Sequence, residues 1–314
     1  MHADSAKVLV TGGAGFIGIP LVNALLEFGF QVAILDCFRY PKRRRLLPDH
    51  ERLSTYEGDL RNESWVREVV LDFNPSVVYH LAALHYIPEC EANPVEALQI
   101  NVVATQVILE AVRALPLRCF LFASTSSVYL YEGQPYGEDD ALGPMETYGI
   151  TKYTSEMLVR QFHKTSGKSC IITRFFNVYG ENETQPHVIP AILEQVKAGS
   201  RTIKLGNVDS RRDFVFMADL VDALIALMGI DGIGLETFNI GTGRAVSIRE
   251  LVDTVGQLIG ETINIEIDPS RLRRTDPPLL QMKTGKLQKA IGWKSRYDLR
   301  KGLGITLRSE GLLG

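Results

Sequence analysis

Residues 11–18 of this 314-residue chain read TGGAGFIG and directly follow the apolar run VLV at 8–10. Three of the glycines fit the spacing G-x-G-x-x-G, and apolar residues with helical spacing continue to Leu26. In a strand–turn–helix, such glycines make a tight turn, let backbone amides approach a diphosphate, and let the helix pack closely on the strand. The stretch therefore predicts a dinucleotide-binding turn. The residues that we assign to this ligand are Gly12, Gly13, Gly15, Phe16 and Ile17.

The next predicted strand ends on an acid. Residues 31–36 read QVAILD, and Asp36 lies 18 positions after Gly18. A carboxylate at this place accepts hydrogen bonds from the adenosine ribose hydroxyls, and it repels a 2′-phosphate. Glycine turn and acid together predict NAD as the cofactor, in preference to NADP.

Composition limits the remaining classes. Apolar residues make up 45% of the chain and charged residues 23%, as in globular proteins, and the net charge of −3 gives no general attraction for nucleic acid. We expect no membrane partner, because no apolar run approaches the roughly 20 residues of a spanning helix. The four cysteines show no C-x-x-C spacing, and the six histidines show no metal-ligand spacing. We therefore expect reduced thiols, no metal and a cytoplasmic location.

Short β-rich runs alternate with longer helical stretches over the first 180 residues. The predicted strands are 7–11, 31–36, 54–57, 76–82, 118–124 and 169–175. The predicted helices are 16–28, 63–73, 94–114 and 148–166. This alternation indicates an α/β fold of the Rossmann type, a doubly wound parallel sheet with helices on both faces.

The pattern becomes less regular after residue 180, where glycine and proline interrupt it. We predict a dinucleotide-binding domain at 1–178 and a smaller substrate domain at 179–314. Segment 213–228 is predicted as a helix and 236–243 as a strand that return to the main sheet. The two domains are therefore expected to be interleaved.

A tyrosine and a lysine near the start of one predicted helix carry the candidate chemistry. Tyr148 and Lys152 are four residues apart, which places them on one helical face. A phenol has a reference pKa of about 10, so it needs a shift of roughly three units to act as a base near neutral pH, and positive neighbours favour that shift. The same spacing occurs at Tyr297 and Lys301. Only Tyr148 follows a hydroxyl cluster at the end of a core strand, where ligands bind in open α/β sheets.

A series of motifs then identifies a family. In order, they are TGGAGFIG, Asp36, Asp59-Leu60, HLAA (80–83), Asn101, STSSVY (124–129), YGITK (148–152) and RFFNVYG (174–180). Together they resemble the extended short-chain dehydrogenase/reductases, in the nucleotide-sugar epimerase/dehydratase group. The resemblance extends over nearly the whole chain, and it is more specific for the family than for a substrate.

The resemblance implies roles for the residues along the sheet edge. Thr125 would hydrogen-bond the reacting sugar hydroxyl, Tyr148 would take its proton, and Lys152 would hold the nicotinamide ribose. The other cofactor contacts would come from Asp59, Leu60, Leu81, Ala82, Ala83, Asn101 and Phe176.

The resemblance also implies a grip on a UDP- or GDP-linked sugar. Its contacts would be His85, Thr125, Asn177, His187, Arg212 and Arg273. Arg212 and Arg273 would bind the substrate diphosphate, and the alternative for Arg212 is a surface ion pair with Asp209 or Asp213. The alternative for His85 is a packed loop histidine.

The residues after Thr125 favour one branch of this group. The 4,6-dehydratases of the family place acids in the next two positions, and the decarboxylases usually place a glutamate before Val-Tyr. This chain has Ser126 and Ser127 there, as in the C4 epimerases, which need no acid to expel a leaving group. We therefore predict an NAD-dependent 4-epimerase that acts through a 4-keto sugar. The alternatives are a dehydratase, a decarboxylase or a 4-keto reductase, and, from another class, a non-catalytic dinucleotide-binding protein.

Two surfaces remain. The loop after Asp36 contains the basic run 42–45, KRRR, which we interpret as a solvated loop. The alternatives are a grip on a phosphate of the cofactor adenosine and a contact with a partner. Segment 94–114 has apolar residues on more than one face. With the resemblance, this predicts a homodimer in which helices 94–114 and 148–166 form a four-helix bundle.

Overall fold

The computed structural model of the protein describes residues 6–272 and 275–313. The chain forms two compact units. Unit 1 contains the residues up to 128, together with 142–174 and 221–238, and unit 2 contains 129–141, 175–220 and the residues from 239 onward. Segments that are distant in the sequence therefore return to each unit.

Unit 1 is built on a sheet of seven strands. They are β1 (Lys7–Thr11), β2 (Gln31–Asp36), β3 (Leu53–Glu57), β4 (Val77–His80), β5 (Cys119–Thr125), β6 (Ser169–Phe175) and a later strand, Leu235–Ile240. Their order across the sheet is Leu235–Ile240, β6, β5, β4, β1, β2, β3. The pairs β1–β2, β1–β4, β2–β3 and β4–β5 are parallel. The strand order reverses beside β1, and ligands of open α/β sheets bind at the carboxyl ends of the strands at such a point.

Helices connect these strands. They are α1 (Gly18–Glu27), α2 (Glu63–Phe73), α3 (Ile87–Ala92), α4 (Pro94–Leu98), α5 (Ala104–Val112) and α6 (Thr147–Ser166). A π-helical turn, Gln99–Val103, joins α4 to α5. Residues 41–46 and 126–128 form short 3-10 turns. The predicted Rossmann-type α/β fold is confirmed.

The apolar runs of the sequence are the interior of the sheet. Every residue of β5 is buried, and so is every residue of β4. A strand covered by helices on both faces is apolar throughout rather than alternating, which explains the run CFLFAST.

Unit 2 has its own sheets and its own core. Its elements are β7 (Asn177–Tyr179), α7 (Val188–Lys197), β8 (Thr202–Leu205), β9 (Arg211–Phe216), the start of α8 (Met217–Met228), β11 (Ala245–Ser247), α9 (Ile248–Ile259), β12 (Asn264–Ile267), β13 (Leu279–Leu280), α10 (Lys286–Ile291) and α11 (Leu299–Ser309). Helix α8 belongs to unit 1 from residue 221 onward. The strand Leu235–Ile240 of the seven-stranded sheet is β10. Strand β9 pairs with β7, β11 and β13, and β8 pairs with β12. Ser247 and Glu250 form a capping box at the start of α9.

One sequence expectation needs correction. Residues 213–216 were expected in a helix but belong to strand β9, and the helix begins only at Met217.

Residues 94–112 form the one described helical stretch that, by length and composition alone, could cross a membrane. Of its most apolar window, 39% is buried in the protein, and core helices also pass this test, so it is weak evidence for a membrane.

Candidate functional site

The glycine turn between β1 and α1 packs against the loop that follows β4. Gly12 has a φ of +70°, and a Cβ atom there would lie 2.8 Å from the backbone nitrogen of Ala82. Gly15 donates its N–H to the Gly12 carbonyl at 3.0 Å, which closes the turn. A side chain at Gly12 would therefore strain the backbone and push the two loops apart.

Asp36 is fixed beside this turn. Its carboxylate accepts the N–H of Ala14 at 3.0 Å and the N–H of Phe38 at 2.8 Å. Burial raises the pKa of Asp36, while the two N–H groups and the positive charge of Arg43 act to lower it. Asp36, the residue predicted to bind the adenosine ribose, thus lies at the carboxyl end of β2 and contacts the glycine turn.

The predicted adenine and groove residues follow β3 and β4. Asp59 pairs with Arg61 at 2.5 Å, and the hydrogen bond from Arg61 lowers the pKa of Asp59. Leu60 is buried, and the predicted groove residues Leu81, Ala82 and Ala83 are half-buried. The structure places all of them at the carboxyl edge of the sheet in unit 1.

Asn101 holds the loop after β4 to the helix of the candidate base. Its amide accepts the N–H of Leu84 at 2.7 Å and donates to the Leu84 carbonyl at 2.9 Å. It also donates to the hydroxyl of Thr151 at 2.9 Å, and that hydroxyl donates to the carbonyl of Tyr148 at 2.7 Å. Asn101 is buried, so this geometry suits a positioning role.

Thr125 and Tyr148 are brought together although they are 23 positions apart. Thr125 is the last residue of β5, and Tyr148 is the second residue of α6. Burial raises the pKa of the half-buried Tyr148 phenol, and the hydrogen bond with Thr125 acts in the opposite direction. A hydroxyl that donates to the phenol favours its ionised form. The structure therefore brings the hydroxyls of Thr125 and Tyr148 into hydrogen-bonding contact.

Lys152 lies one turn further along α6 and is almost fully buried. Its side chain is 2% exposed, and its Nζ lies 4.8 Å from the centroid of the Phe122 ring. Burial lowers the pKa of Lys152 to about 7, although Cys90 and Glu156 act to raise it. A buried ammonium in this position is suited to bind a polar ligand group that replaces its lost hydration.

Three acidic or thiol groups near this pair were missed by the sequence analysis. Glu146 raises the pKa of Tyr148 by its charge, and Cys90, whose own pKa burial raises to about 12, adds to this effect only when its thiol is ionised. Glu156, on α6, accepts a hydrogen bond from Ser124 at 2.6 Å and is paired with Arg174 at 2.7 Å. No sequence motif marks these three groups. Cys90 belongs to α3, Glu146 is the residue before α6, and Glu156 lies in the middle of α6.

The two histidines of the β4 loop have different surroundings. His80 is buried and hydrogen-bonds Thr11 at 2.7 Å and Thr105 at 2.9 Å, and burial lowers its pKa to about 3. His85 is half-buried, and burial together with the charges of Lys152 and Arg43 lowers its pKa to about 4. His80 is thus a neutral core residue, whereas His85 is close enough to Lys152 and Arg43 for their charges to lower its pKa. Among residues 6–272 and 275–313, no three His, Cys, Asp or Glu side chains are grouped to hold a metal.

The predicted cofactor contact Phe176 and the predicted substrate contacts Asn177 and His187 lie in unit 2. Phe176 is buried, and Asn177 begins β7. The Asn177 Oδ1 atom is buried, and no group in the described part of the chain hydrogen-bonds it. His187 precedes α7, and its Nε2 lies 3.8 Å from the carboxylate of Glu183. Arg273 is outside the described residues.

Arg212 is buried on β9 and pairs with an acid that the sequence analysis did not consider. It lies 2.5 Å from Asp276 and donates to the carbonyl of Pro277 at 2.8 Å. The two acids named as alternatives are engaged elsewhere. Asp209 lies 3.7 Å from Arg249, and Asp213 accepts the N–H groups of residues 242 and 243. The guanidinium is therefore held by the segment just after Arg273.

The second Tyr-x-x-x-Lys pair has a different setting. Tyr297 packs on Phe216, with their ring centroids 4.8 Å apart, and Lys301 lies 4.3 Å over the Tyr297 ring. Tyr297 packs against the core of unit 2, and Lys301 is exposed above it. The structure therefore gives this pair a packing role.

Comparisons with known proteins agree on one family. Residues 9–306 match the sequence model of the family described as GDP-mannose 4,6 dehydratase. A UDP-glucose 4-epimerase of Corynebacterium glutamicum is 32% identical over 315 residues, which cover 94% of this chain and 92% of that protein.

Two solved structures have the same fold over nearly their whole length. A Thermus thermophilus UDP-glucose 4-epimerase in complex with NAD has a TM-score of 0.87 at 28% identity, covering 97% of this chain and 99% of the other. A UDP-glucuronic acid 4-epimerase of Bacillus cereus, with UDP-glucuronic acid and NAD, has a TM-score of 0.89 at 25% identity, covering 97% and 99%. The chain therefore belongs to the GDP-mannose 4,6 dehydratase family, within the nucleotide-sugar epimerase/dehydratase group of the extended short-chain dehydrogenase/reductases.

Proposed function

We propose that this protein is an NAD-dependent 4-epimerase of a nucleotide sugar. The observation that carries the proposal is the Thr125–Tyr148 hydroxyl pair at the carboxyl end of β5, with Lys152 one turn further along the same helix. Relatives that are about 30% identical over almost the full length are UDP-glucose 4-epimerases, which supports the same reaction type.

The residues of unit 1 fit NAD. Gly12 lets the glycine turn pack against the backbone of Ala82, and the N-terminus of α1, whose N–H groups suit a diphosphate, follows this turn. Asp36 would bind the adenosine ribose, and Lys152 the nicotinamide ribose. The bound dinucleotide would supply an acceptor, and later a donor, of hydride.

The chain's own residues would manage the proton. Tyr148 would accept the proton of the sugar 4-hydroxyl, and the hydrogen bond from Thr125 would stabilise the phenolate that removes it. Because burial raises the pKa of Tyr148, the site needs positive charge near the phenol when loaded. The same phenol would return its proton once the 4-keto sugar has been reduced on its other face.

The absence of an acid beside Thr125 favours epimerisation over elimination. Ser126 and Ser127 are buried hydroxyls in the positions where dehydratases of this group place acids. A 4,6-dehydratase is the second candidate, because the buried carboxylate of Glu146 is near enough to affect the pKa of Tyr148. The product distinguishes the two, since an epimerase conserves all atoms and a dehydratase loses water.

We infer that a UDP-linked sugar is the first substrate to test. Of the two epimerases of known structure described above, one is a UDP-glucose 4-epimerase and the other was solved with UDP-glucuronic acid. The substrate diphosphate would meet Arg212 and Arg273, and the sugar nucleotide would meet Asn177, His187 and His85. The orphaned Oδ1 of Asn177 supports a ligand there, because a buried acceptor without a donor is costly.

The apolar surface of unit 1 supports a homodimer. On α4 and the turn after it, Val95 is 67% exposed and Val103 50% exposed. On α6, Ile150 and Met157 are 44% and 39% exposed. These side chains form apolar faces that a second copy would cover in a four-helix bundle. The reduced cysteines lead us to expect that the dimer is cytoplasmic.

One experiment tests the reaction and its substrate together. The protein is incubated with UDP-, GDP- and CDP-sugars, and the mixtures are followed by proton NMR. We expect one UDP-sugar to be converted to its C4 epimer. The reaction should proceed without added NAD, because the protein would retain its own. A 4-keto-6-deoxy sugar as the main product would replace the epimerase proposal with the dehydratase.

A further inference from the structure

The basic loop after β2 has one arginine that is not on the surface. Lys42, Arg44 and Arg45 are exposed, but Arg43 is only 5% exposed. This differs from the solvated loop that the sequence predicted. Burial of a guanidinium removes it from water at considerable cost, so a buried arginine indicates a structural or binding role.

The surroundings of Arg43 place it over the dinucleotide turn. Its guanidinium carbon lies 5.9 Å from the ring centroid of Phe16, which belongs to the glycine stretch. Its charge also lowers the pKa of Asp36 and that of His85. Arg43 therefore lies against the glycine turn, close enough to Asp36 and His85 for its charge to affect the pKa of both.

The neighbouring residue Arg44 lies on the exposed side of the same loop. The Arg44 guanidinium lies 4.6 Å over the Phe38 ring and 2.5 Å from the carboxylate of Glu57, and it remains exposed. Arg44 thus ties the loop to β3. Arg43 is buried instead and lies over the Phe16 ring of the glycine turn.

We propose that Arg43 binds the diphosphate of the dinucleotide from the loop after β2. A dinucleotide in this fold extends from the acid at the end of β2 across the glycine turn, so its diphosphate lies over that turn. The N–H groups at the start of α1 supply donors there, and Arg43 adds a full positive charge with a planar fork of donors suited to phosphate oxygens. The inference rests on the cofactor proposed above and not on the epimerase reaction.

The other anion that a cofactor could bring is a 2′-phosphate. It would lie against the carboxylate of Asp36, which opposes it electrostatically. The ring over which the Arg43 guanidinium lies, that of Phe16, belongs to the glycine turn and not to the ribose end at Asp36. The position of this neighbour favours the diphosphate.

The test compares ligands that differ only in the groups at issue. Protein freed of resident nucleotide is titrated calorimetrically with ADP-ribose, with adenosine and with 2′-phospho-ADP-ribose. The variants are Arg43→Met, Arg43→Lys and, as the control, Arg45→Met, which removes one charge from an exposed position of the same loop. Thermal unfolding of each variant without ligand reports on its fold.

We expect Arg43→Met to weaken ADP-ribose binding by about 10- to 100-fold, the usual effect of losing a charged hydrogen bond. Adenosine binding and the Arg45→Met control should change by no more than about twofold. If Arg43→Met does not fold, Arg43→Lys decides, since it should weaken ADP-ribose binding by less than tenfold and leave adenosine unchanged.

Three results would overturn the inference. Equal loss of adenosine and ADP-ribose binding in the Arg43 variants would mean that the residue only shapes the loop. A wild-type preference for 2′-phospho-ADP-ribose that disappears in Arg43→Met would mean that Arg43 recognises that phosphate. Unchanged ADP-ribose affinity in Arg43→Met would exclude any contact. Failure of the wild type to bind ADP-ribose at all would instead disprove the proposed cofactor.

Discussion

Ser124 donates a hydrogen bond of 2.6 Å to the carboxylate of Glu156, and the same carboxylate pairs with Arg174 at 2.7 Å. The side chains of Glu156 and Arg174 are at most 1% exposed. Ser124 precedes Thr125 at the end of β5, Glu156 lies one turn after Lys152, and Arg174 belongs to β6. This buried group therefore fixes the strand of the candidate hydroxyl against the helix of the candidate base.

The ion pair gives a prediction for stability. Glu156→Gln leaves the Arg174 charge buried without its counter-ion, so we expect a loss of about 3–5 kcal/mol in the free energy of unfolding. The double variant Glu156→Met/Arg174→Met removes both charges and should recover most of that loss. Urea unfolding of both proteins measures the difference. A double variant as unstable as the single one would show that the charges themselves hold the fold.

Tyr148→Phe tests the proposed base. The substitution keeps the ring but removes the proton acceptor, so turnover should fall by roughly 10² to 10⁴, while bound NAD and stability change little. Tyr297→Phe is the matched control from the other Tyr-x-x-x-Lys pair, and its turnover should stay within about twofold of the wild type. Near-normal turnover of Tyr148→Phe with intact NAD would disprove the assignment.

Thr125→Val tests the partner of that base. It removes the hydroxyl that favours the phenolate but leaves the phenol in place, so turnover should fall by less than in Tyr148→Phe. The pH at which turnover reaches half its maximum should also rise, because the pKa of Tyr148 loses the effect of this hydrogen bond. An unchanged pH profile would mean that Thr125 contacts only the sugar.

The burial of Lys152 predicts a dependence of stability on pH. Its pKa falls from 10.5 to about 7 on folding, so between these values the unfolded chain binds more protons than the folded one. Stability contributed by this group therefore rises as the pH increases from 7 toward 10. Lys152→Met should lose that rise, whereas Lys164→Met, at an exposed position of the same helix, should follow the wild type. Urea unfolding at pH 7, 8 and 9 measures the free energy of unfolding of each protein. If the difference in this free energy between the wild type and Lys152→Met is the same at all three pH values, the prediction is wrong.

The dimer prediction is tested on its apolar face. Val103→Glu places a charge on a residue that is 50% exposed, and light scattering at micromolar concentration should then give the monomer mass. Leu71→Glu, on α2 and 48% exposed, is the control and should leave the dimer intact. A monomer mass for the wild type itself would exclude the proposed bundle.

Much of the fold could be predicted because local signals and packing agree. The glycine turn needs a positive φ at Gly12, and strands β4 and β5 are buried on both faces, so glycine spacing and apolar runs mark them. Segment 213–216 was wrongly predicted because its apolar residues run directly into those of α8 without a turn signal.

The buried charges could not be predicted from spacing. Four basic residues in a row predict a solvated loop, and only the fold turns Arg43 inward. Glu156 and Arg174 are 18 positions apart on different elements, so their pairing depends on how α6 packs on the sheet. The partner of Arg212 is likewise set by the register of β13 with β9, which brings Asp276 next to it.

The π-helical turn at 99–103 has a consequence for how assembly and catalysis are linked. Its widened backbone lets the Asn101 carbonyl accept the hydroxyls of Thr105 at 2.6 Å and Ser155 at 2.8 Å, while the Asn101 amide holds Leu84 and Thr151. On the same turn, Val103 faces outward. One turn of helix is thus shared by the surface that would meet a second copy and by the bonds that fix the helix of Tyr148. Dilution that separates the copies is therefore expected to loosen cofactor retention, so specific activity should depend on enzyme concentration.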